Sequence, residues 1–256
     1  MSKMAEGNFF EDFEVGRELV HAVPRTVTAG DVALYIGLTG ARQAVHCADS
    51  FARACGYPTS PIDDLLTFHV VFGKSVPDVS LNAVANLGYA EGRFLAPVYP
   101  GDTLVARSEV IGLKENSNGR TGTVYVRTRG FRENEPVLEY VRWVMVRKRD
   151  AASPTPEPRV PQLKSALDVG DLVVPAGLQA PRDPDGLAGA RWRFEDYEVG
   201  ERIDHVDGMT IEEAEHRTAT RLYQNTARVH FDTHRERQGR FGKCIVYGGH
   251  VLSLAR

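Results

Sequence analysis

The sequence predicts an α+β protein made of two copies of one module, each an antiparallel sheet wrapped around a central helix. Two observations predict it. The first is an internal repeat. Phe10-Glu11-Asp12-Phe13-Glu14-Val15-Gly16 returns as Phe194-Glu195-Asp196-Tyr197-Glu198-Val199-Gly200, and the same 184-residue offset carries Thr26 onto Thr210, Val45 onto Val229 and His46 onto His230. A period of that size marks a duplicated module rather than a short-period solenoid. The second is an order of patterns: one strongly apolar helical stretch, then a series of strand-like runs.

The elements of the first copy follow in order. Thr26 to Gly40 reads as a helix: Thr28 can cap, Asp31 follows three residues on, and Val32, Leu34, Tyr35 and Leu38 recur at helical spacing. Val45–Cys55 suggests a short helix ending at Gly56. Leu65–Val76 carries Leu65, Leu66, Phe68, Val71 and Phe72 over most of a helix surface, so this helix is expected to be buried and to end at Pro77. Strands are expected over Asn86–Ala96, Thr103–Leu113, Thr121–Arg132 and Val137–Arg147. Pro100-Gly101-Asp102, Asn116-Ser117-Asn118-Gly119 and Glu133-Asn134-Glu135-Pro136 read as turns between them.

This gives a first module over 1–149, a linker over 150–192 and the start of a second module over 193–256. Seven of the 14 prolines lie between Pro154 and Pro184. Such a run has few backbone donors and favours extended chain along a surface. The offset places Arg256 on Phe72, so the counterpart of Gly73–Arg149 is expected to be absent and the second module incomplete. Its central helix would then need cover from further chain or from a second chain, or this end would be poorly ordered.

Composition excludes several classes. Of 256 residues, 42% are hydrophobic and 25% charged, and the net charge is -3, which carries no basic signature for nucleic acid. No apolar run reaches the roughly 20 residues that span a bilayer, and the first residues lack the apolar core of a signal peptide. Cys47, Cys55 and Cys244 form no Cys-x-x-Cys pair and read as free thiols, so a cytoplasmic location is expected and no metal site.

The chemistry-bearing stretch is Leu222-Tyr223-Gln224-Asn225-Thr226-Ala227-Arg228-Val229-His230-Phe231-Asp232, followed by Tyr247-Gly248-Gly249-His250. An amide and an imidazole stand five residues apart, and a glycine pair opens an apolar run. Together they offer a proton-transfer group and backbone donors for chemistry on a carbonyl. The plain alternative is a polar surface helix followed by a turn.

Phe-Glu-Asp-Phe-x-Val-Gly at the module start, a Thr-led helix, the histidine segment and Pro97-Val98-Tyr99-Pro100-Gly101-Asp102-Thr103-Leu104 together resemble the MaoC-like dehydratase family, which has the hot-dog fold. Tyr223–Phe231 and Tyr247–Val251 look most like its double-hot-dog mesaconyl-CoA hydratases, also called β-methylmalyl-CoA dehydratases. The resemblance implies tandem hot-dog modules and reversible hydration of a branched or dicarboxylic 2-enoyl-CoA. An acyl-CoA is then the small-molecule partner, no separate cofactor is expected, and the enzyme is expected to form a homo-oligomer such as a dimer.

The family's histidine falls on His230 and on His46. The aspartate five residues before it falls on Asn225 and on Ala41. The glycine whose amide binds the thioester oxygen falls on Gly248 and on Asp64. Neither copy matches fully, and the second is the better candidate. Its catalytic set is His230, Asn225 and Gly248; Tyr247, Gly249, Arg228 and Tyr223 are candidate substrate contacts. The first copy reads as a degenerate half that shapes the pocket and holds the CoA tail, with His46 a satisfied structural histidine.

An amide does not titrate. Either His230 works alone with Asn225 as positioner, or Tyr247, Tyr223, Asp232 or His250 supplies a second group, or the site is impaired. Asp232 also reads as a helix cap. For a carboxylated acyl chain, Arg228, Arg221, Arg240, His234 and Lys243 are candidate cations, each of which reads equally as solvated helix surface. Two other functions stay open: a hot-dog thioesterase using Asp63 or Asp64, and a non-catalytic acyl-CoA binding protein.

Overall fold

The computed structural model describes residues 6–182, 186–187, 189, 191–206 and 208–256. Five strands form one antiparallel sheet: β1 (Glu18–Thr26), β2 (Ala83–Phe94), β3 (Thr103–Glu115), β4 (Thr121–Arg132) and β5 (Glu135–Arg147), in the order β1-β3-β4-β5-β2. The helices are α1 (Ala29–Thr39), α2 (Ala44–Cys47), α3 (Asp49–Ala54), α4 (Asp64–Ser75), α5 (Glu213–Leu222), α6 (Thr233–Glu236) and α7 (Gly248–Leu254).

The expected first-module elements are present, with differences at β1, β2 and Pro77 and with the Val45–Cys55 helix broken at the extended Ala48 into α2 and α3. β1 has no counterpart in the sequence reading. It is an edge strand with a register shift between His21 and Arg25 and a proline inside it, and only Leu19 and His21 turn inward, so its alternation is too short to read. β2 begins three residues earlier than expected, at Ala83, and stops at Phe94. Pro77 does not end the helical path: a π-type turn, Val76–Ser80, continues it. Pro77 stands in the first residues of that turn, where a missing N–H is tolerated.

α1 begins as the pattern predicts. Thr28 Oγ1 accepts from Asp31 N at 3.2 Å, and Asp31 Oδ2 accepts from Thr28 N at 2.8 Å. α4 is buried from Leu66 to Ser75 and packs against β1, β3 and β4. Its carboxyl end gathers cations. The fully buried Arg142 donates to Ser75 Oγ at 2.8 Å and lies 4.4 Å from the Phe72 ring centre, and Lys74 donates to the Val23 carbonyl. The helix dipole favours both charges there.

A buried polar chain joins β1, β3 and β4. His21 bonds Asp78 through Nδ1 and Ser108 through Nε2, each at 2.7 Å, and Ser108 Oγ bonds Thr128 at 2.8 Å. Ser108 is enclosed, so this chain braces strands.

The Pro-rich segment runs along the surface. Arg159 exchanges two 2.8 Å bonds with Leu113, and Gly112 leaves room for the Arg159 carbonyl. Farther on, Gln179 N donates to the Cys55 carbonyl at 3.0 Å.

The second copy repeats the first turn by turn. The 3₁₀ turn Phe10–Asp12 returns as Phe194–Asp196, α1 as α5, α2 as the turn Arg228–His230, α3 as α6, and the start of α4 as the start of α7. Left-handed Gly40 and Gln224 correspond, as do left-handed Gly16 and Gly200. The described residues of 193–256 contain no strand. Their apolar positions differ in burial accordingly: Phe10 is 1% exposed beneath the sheet, whereas Phe194 is 90% exposed.

The two copies share one core. Ala219, Leu222, Tyr223 and Tyr247 join Tyr35, Leu66, Phe68 and Phe72. Contact is close where α5 ends: a Cβ on Gly73 of α4 would stand 1.9 Å from the Tyr223 carbonyl oxygen.

Candidate active site

α5 ends at Leu222, and Gln224 takes a left-handed φ of 53° that turns the chain. This turn carries Asn225 inward, to 4% exposure. Asn225 Oδ1 accepts from Ala227 N at 2.9 Å. Because an N–H needs an acceptor, that bond fixes the amide orientation and leaves Nδ2 as the other terminus. Nδ2 is enclosed and has no partner among the described residues.

The next turn delivers His230. Its Nδ1 lies 3.1 Å from the Ile245 carbonyl, and Ile245 N donates to the Val229 carbonyl at 3.0 Å. A carbonyl only accepts, so Nδ1 carries the proton and Nε2 is the basic nitrogen. Burial pushes the His230 pKa below its ordinary value; the Ile245 bond opposes this, and His216 adds to it. The ring is therefore neutral and basic at neutral pH.

The glycine pair opens α7. Tyr247 is its N-cap, and Gly248 stands exposed as its first residue. Gly249 has a packing reason: a Cβ there would lie 2.5 Å from the Tyr247 ring. That ring is buried, 5.4 Å from the His230 ring and 5.6 Å from His69 (centre to centre), with its hydroxyl 3.3 Å from His69 Nδ1. Tyr223 is also buried and stacks on His69 at 4.3 Å. Burial raises both phenols well above their ordinary range. Arg228 is exposed on its turn, as are Arg221, His234, Arg240 and Lys243.

Asp232 caps α6, accepting from Arg235 N at 3.0 Å. In the first copy, His46 Nδ1 donates to the Pro61 carbonyl at 3.0 Å. Asp63 caps α4 through Leu65 N at 2.8 Å and accepts from Arg256 at 2.8 Å. Burial raises the Asp64 pKa, and His46 and Arg256 oppose that. The carboxylates of the thioesterase alternative are thus engaged by the helix start and by Arg256.

Two groups of buried histidines lie nearby; His69 and His216 went unnoticed in the sequence, whereas His250 was already a candidate second group. His69 of α4 bonds Ser253 of α7 through Nε2 at 2.8 Å and so joins the copies. His216 and His250 are buried with Glu215 between α5 and α7. The offset offered a signal for the second group: these histidines stand where the first copy has Val32 and Leu66.

Across residues 2–255 the chain matches the sequence profile of the family described as mesaconyl-CoA hydratase. The chain belongs to that family. It is 60% identical to a β-methylmalyl-CoA dehydratase of Chloroflexus aurantiacus over 256 residues, all of this chain and 73% of the relative. It is 60% identical over 255 residues to a mesaconyl-CoA hydratase of Cereibacter sphaeroides, 99% of this chain and 74% of the relative. The crystal structure of a MaoC-domain dehydratase from Chloroflexus aurantiacus superposes with a TM-score of 0.97 at 59% identity, covering all of this chain and 73% of that one. A Mycobacterium tuberculosis protein with a double hot-dog fold gives 0.64 at 26% identity, covering 97% and 74%. The mesaconyl-CoA hydratase family fold here is thus the hot-dog arrangement: one sheet around α4, with the second copy's helices packed against it. Among the described residues no helix is long and apolar enough to cross a membrane.

Proposed function

We propose that this chain catalyses reversible hydration of a branched or dicarboxylic 2-enoyl-CoA of the mesaconyl-CoA/β-methylmalyl-CoA type, at the segment holding Asn225, His230 and Gly248. The observation that carries the reading is His230, a neutral imidazole with its proton held on Nδ1 by Ile245, in a chain 60% identical to such enzymes.

Nε2 of His230 takes a proton from water as the oxygen bonds to C3. Charge then moves to the thioester oxygen, where the Gly248 N–H donates. C2 receives the proton that His230 took, so one base balances the addition. Asn225 Nδ2 donates to the water oxygen and aims its lone pair. Net addition of water needs no external oxidant or reductant, and the proposed chemistry calls for no cofactor. Arg228 is the cation proposed for a distal carboxylate, because its planar fork suits bidentate binding. The first copy, with Asp64 at the glycine position, shapes the pocket and holds the CoA tail.

The same reading places the enzyme in the cytoplasm, supported by three free cysteines, and in a homo-oligomer, supported by the exposed edge strand β2. Light scattering on the purified protein tests the oligomer.

The decisive experiment incubates the protein with mesaconyl-CoA and follows conjugated-thioester absorbance and free thiol together. Loss of conjugation without thiol is expected, and His230→Ala should lower the rate by about 10²–10⁴. Thiol release would make it a thioesterase. No change in either signal would overturn the assignment.

A further inference from the structure

The two copies can be compared position by position, and they differ in polarity where α5 meets α7. In the first copy the corresponding residues are Asp31, Val32 and Leu66. Asp31 caps α1, and Leu66 is fully buried apolar core. In the second they are Glu215, His216 and His250. His250 has no exposed surface, and its Nε2 lies 2.9 Å from Glu215 Oε1, whose side chain is 19% exposed. Nδ1 of His250 and Nδ1 of His216 are enclosed without partners among the described residues. A buried imidazole–carboxylate pair is costly compared with apolar packing of the same shape. The cost is borne in the copy that has Asn225 and Gly248; the other copy has Leu66 in place of His250 and Val32 in place of His216, and its carboxylate, Asp31, is turned to the start of α1 instead.

The remaining candidates for a second functional group are otherwise occupied. The Tyr247 hydroxyl faces His69, Tyr223 is sealed in the core, and Asp232 caps α6. The Glu215–His250 bond lies elsewhere: it joins the helix that leads into Asn225 to the helix that begins at Gly248.

We propose that Glu215 and His250 are a positioning pair for the hydration site. Their bond ties α5 to α7 and so fixes the separation between Asn225 and the Gly248 N–H, between which the thioester must lie. The proposal rests on the hydratase reading for its catalytic consequence, and on the bond alone for its effect on α7.

The test uses the full chain. His250→Leu installs the residue that the first copy carries at the corresponding position, and so keeps the site filled. It is expected to lower kcat about tenfold or more with KM within about threefold. Glu215→Ala should do the same, and Glu215→Gln, which retains an acceptor for Nε2–H, should recover at least about a third of the wild-type kcat. A wild-type kcat in His250→Leu, a change in KM alone, or a Gln variant as poor as the Ala variant would overturn the proposal. Hydrogen exchange over residues 248–252 is the second readout. It should quicken about tenfold in His250→Leu and Glu215→Ala but not in Glu215→Gln, and unchanged exchange would overturn the proposal whatever the activity. An inactive wild type would therefore sink the hydratase reading and still leave the pair's role decided. If His250→Leu does not fold, the two Glu215 variants give the same comparison.

Discussion

His46 and His230 stand in the same relation to the chain around them: each donates from Nδ1 to the carbonyl fifteen residues further on, Pro61 at 3.0 Å and Ile245 at 3.1 Å. The duplicated bond fixes the tautomer in both copies. What differs is the residue three positions beyond that carbonyl, Asp64 in one copy and Gly248 in the other. The imidazole is common framework, and the following helix starts with a carboxylate in one copy and with glycine in the other. For His230, burial holds the pKa below its ordinary 6.5. A base must be unprotonated, so kcat/KM for hydration should be flat near neutrality and fall on the acid side only below about pH 6.5. A pH–rate profile checks this; a fall beginning above pH 7 would contradict it.

Asn225 is tested by two substitutions. Asn225→Ala removes both the bond to Ala227 N and the free Nδ2 donor, and hydration should drop about a hundredfold while CoA binding persists. Asn225→Asp keeps an oxygen for Ala227 N and adds a buried carboxylate, which desolvation pushes upward. The rate should survive, with a second ionisation appearing in the kcat profile.

His69 makes acid stability predictable. Burial drives its pKa from 6.5 down to about 3 in the folded protein, with His250 adding to the effect. Below pH 6.5 the unfolded chain binds a proton that the folded ring refuses. The stabilisation is fully present above pH 6.5 and is lost progressively as pH falls toward about 3. His69→Gln should flatten the dependence of unfolding free energy on pH in that window by about 1.4 kcal/mol per pH unit. Urea titrations at several pH values measure it.

Gly73→Ala tests the seam between the copies. The new Cβ would meet backbone oxygen of Tyr223 at 1.9 Å, and neither α4 nor the α5 turn can yield by rotating a side chain. A loss of about 1–3 kcal/mol is expected, with hydrogen exchange quickening first in α5. Unchanged thermal stability would show that the helices separate freely.

Gly249→Ala and Tyr247→Phe probe one contact from two sides. The first pushes the Tyr247 ring off its seat, 2.5 Å from the added Cβ. The second leaves His69 Nδ1 without its hydroxyl partner in a buried site, costing about 1–3 kcal/mol. Both should lower the melting temperature, and their combination should cost less than the sum, because they disturb the same ring.

Much was legible in the sequence because the information is local or periodic. Thr28 and Asp31 form a capping box within four residues, β4 spans Thr121–Arg132 as its alternation predicts, and the 184-residue offset aligns the second copy turn for turn. The family resemblance also followed from short motifs in order. Other features have no local signature. β1 was missed because an edge strand with two inward residues and a register shift resembles a loop. His69 reads as one more residue of a buried helix until Ser253 and Tyr247 arrive from about 180 residues away. Tyr223 and Tyr247 read as candidate substrate contacts by their neighbours in sequence, and only the fold shows that both are buried and pack on α4.

The sequence by itself determined the duplication, the buried central helix and four of the five strands, since each rests on periodicity or capping, while the family resemblance singled out His230, Asn225 and Gly248 as candidates. The tertiary structure alone decided which ring nitrogen of His230 carries the proton, that Asn225 Nδ2 is enclosed, and that Glu215 meets His250. Those outcomes depend on distances between segments far apart in the chain, set by how α5 and α7 dock against α4, and no single stretch of sequence encodes such a distance.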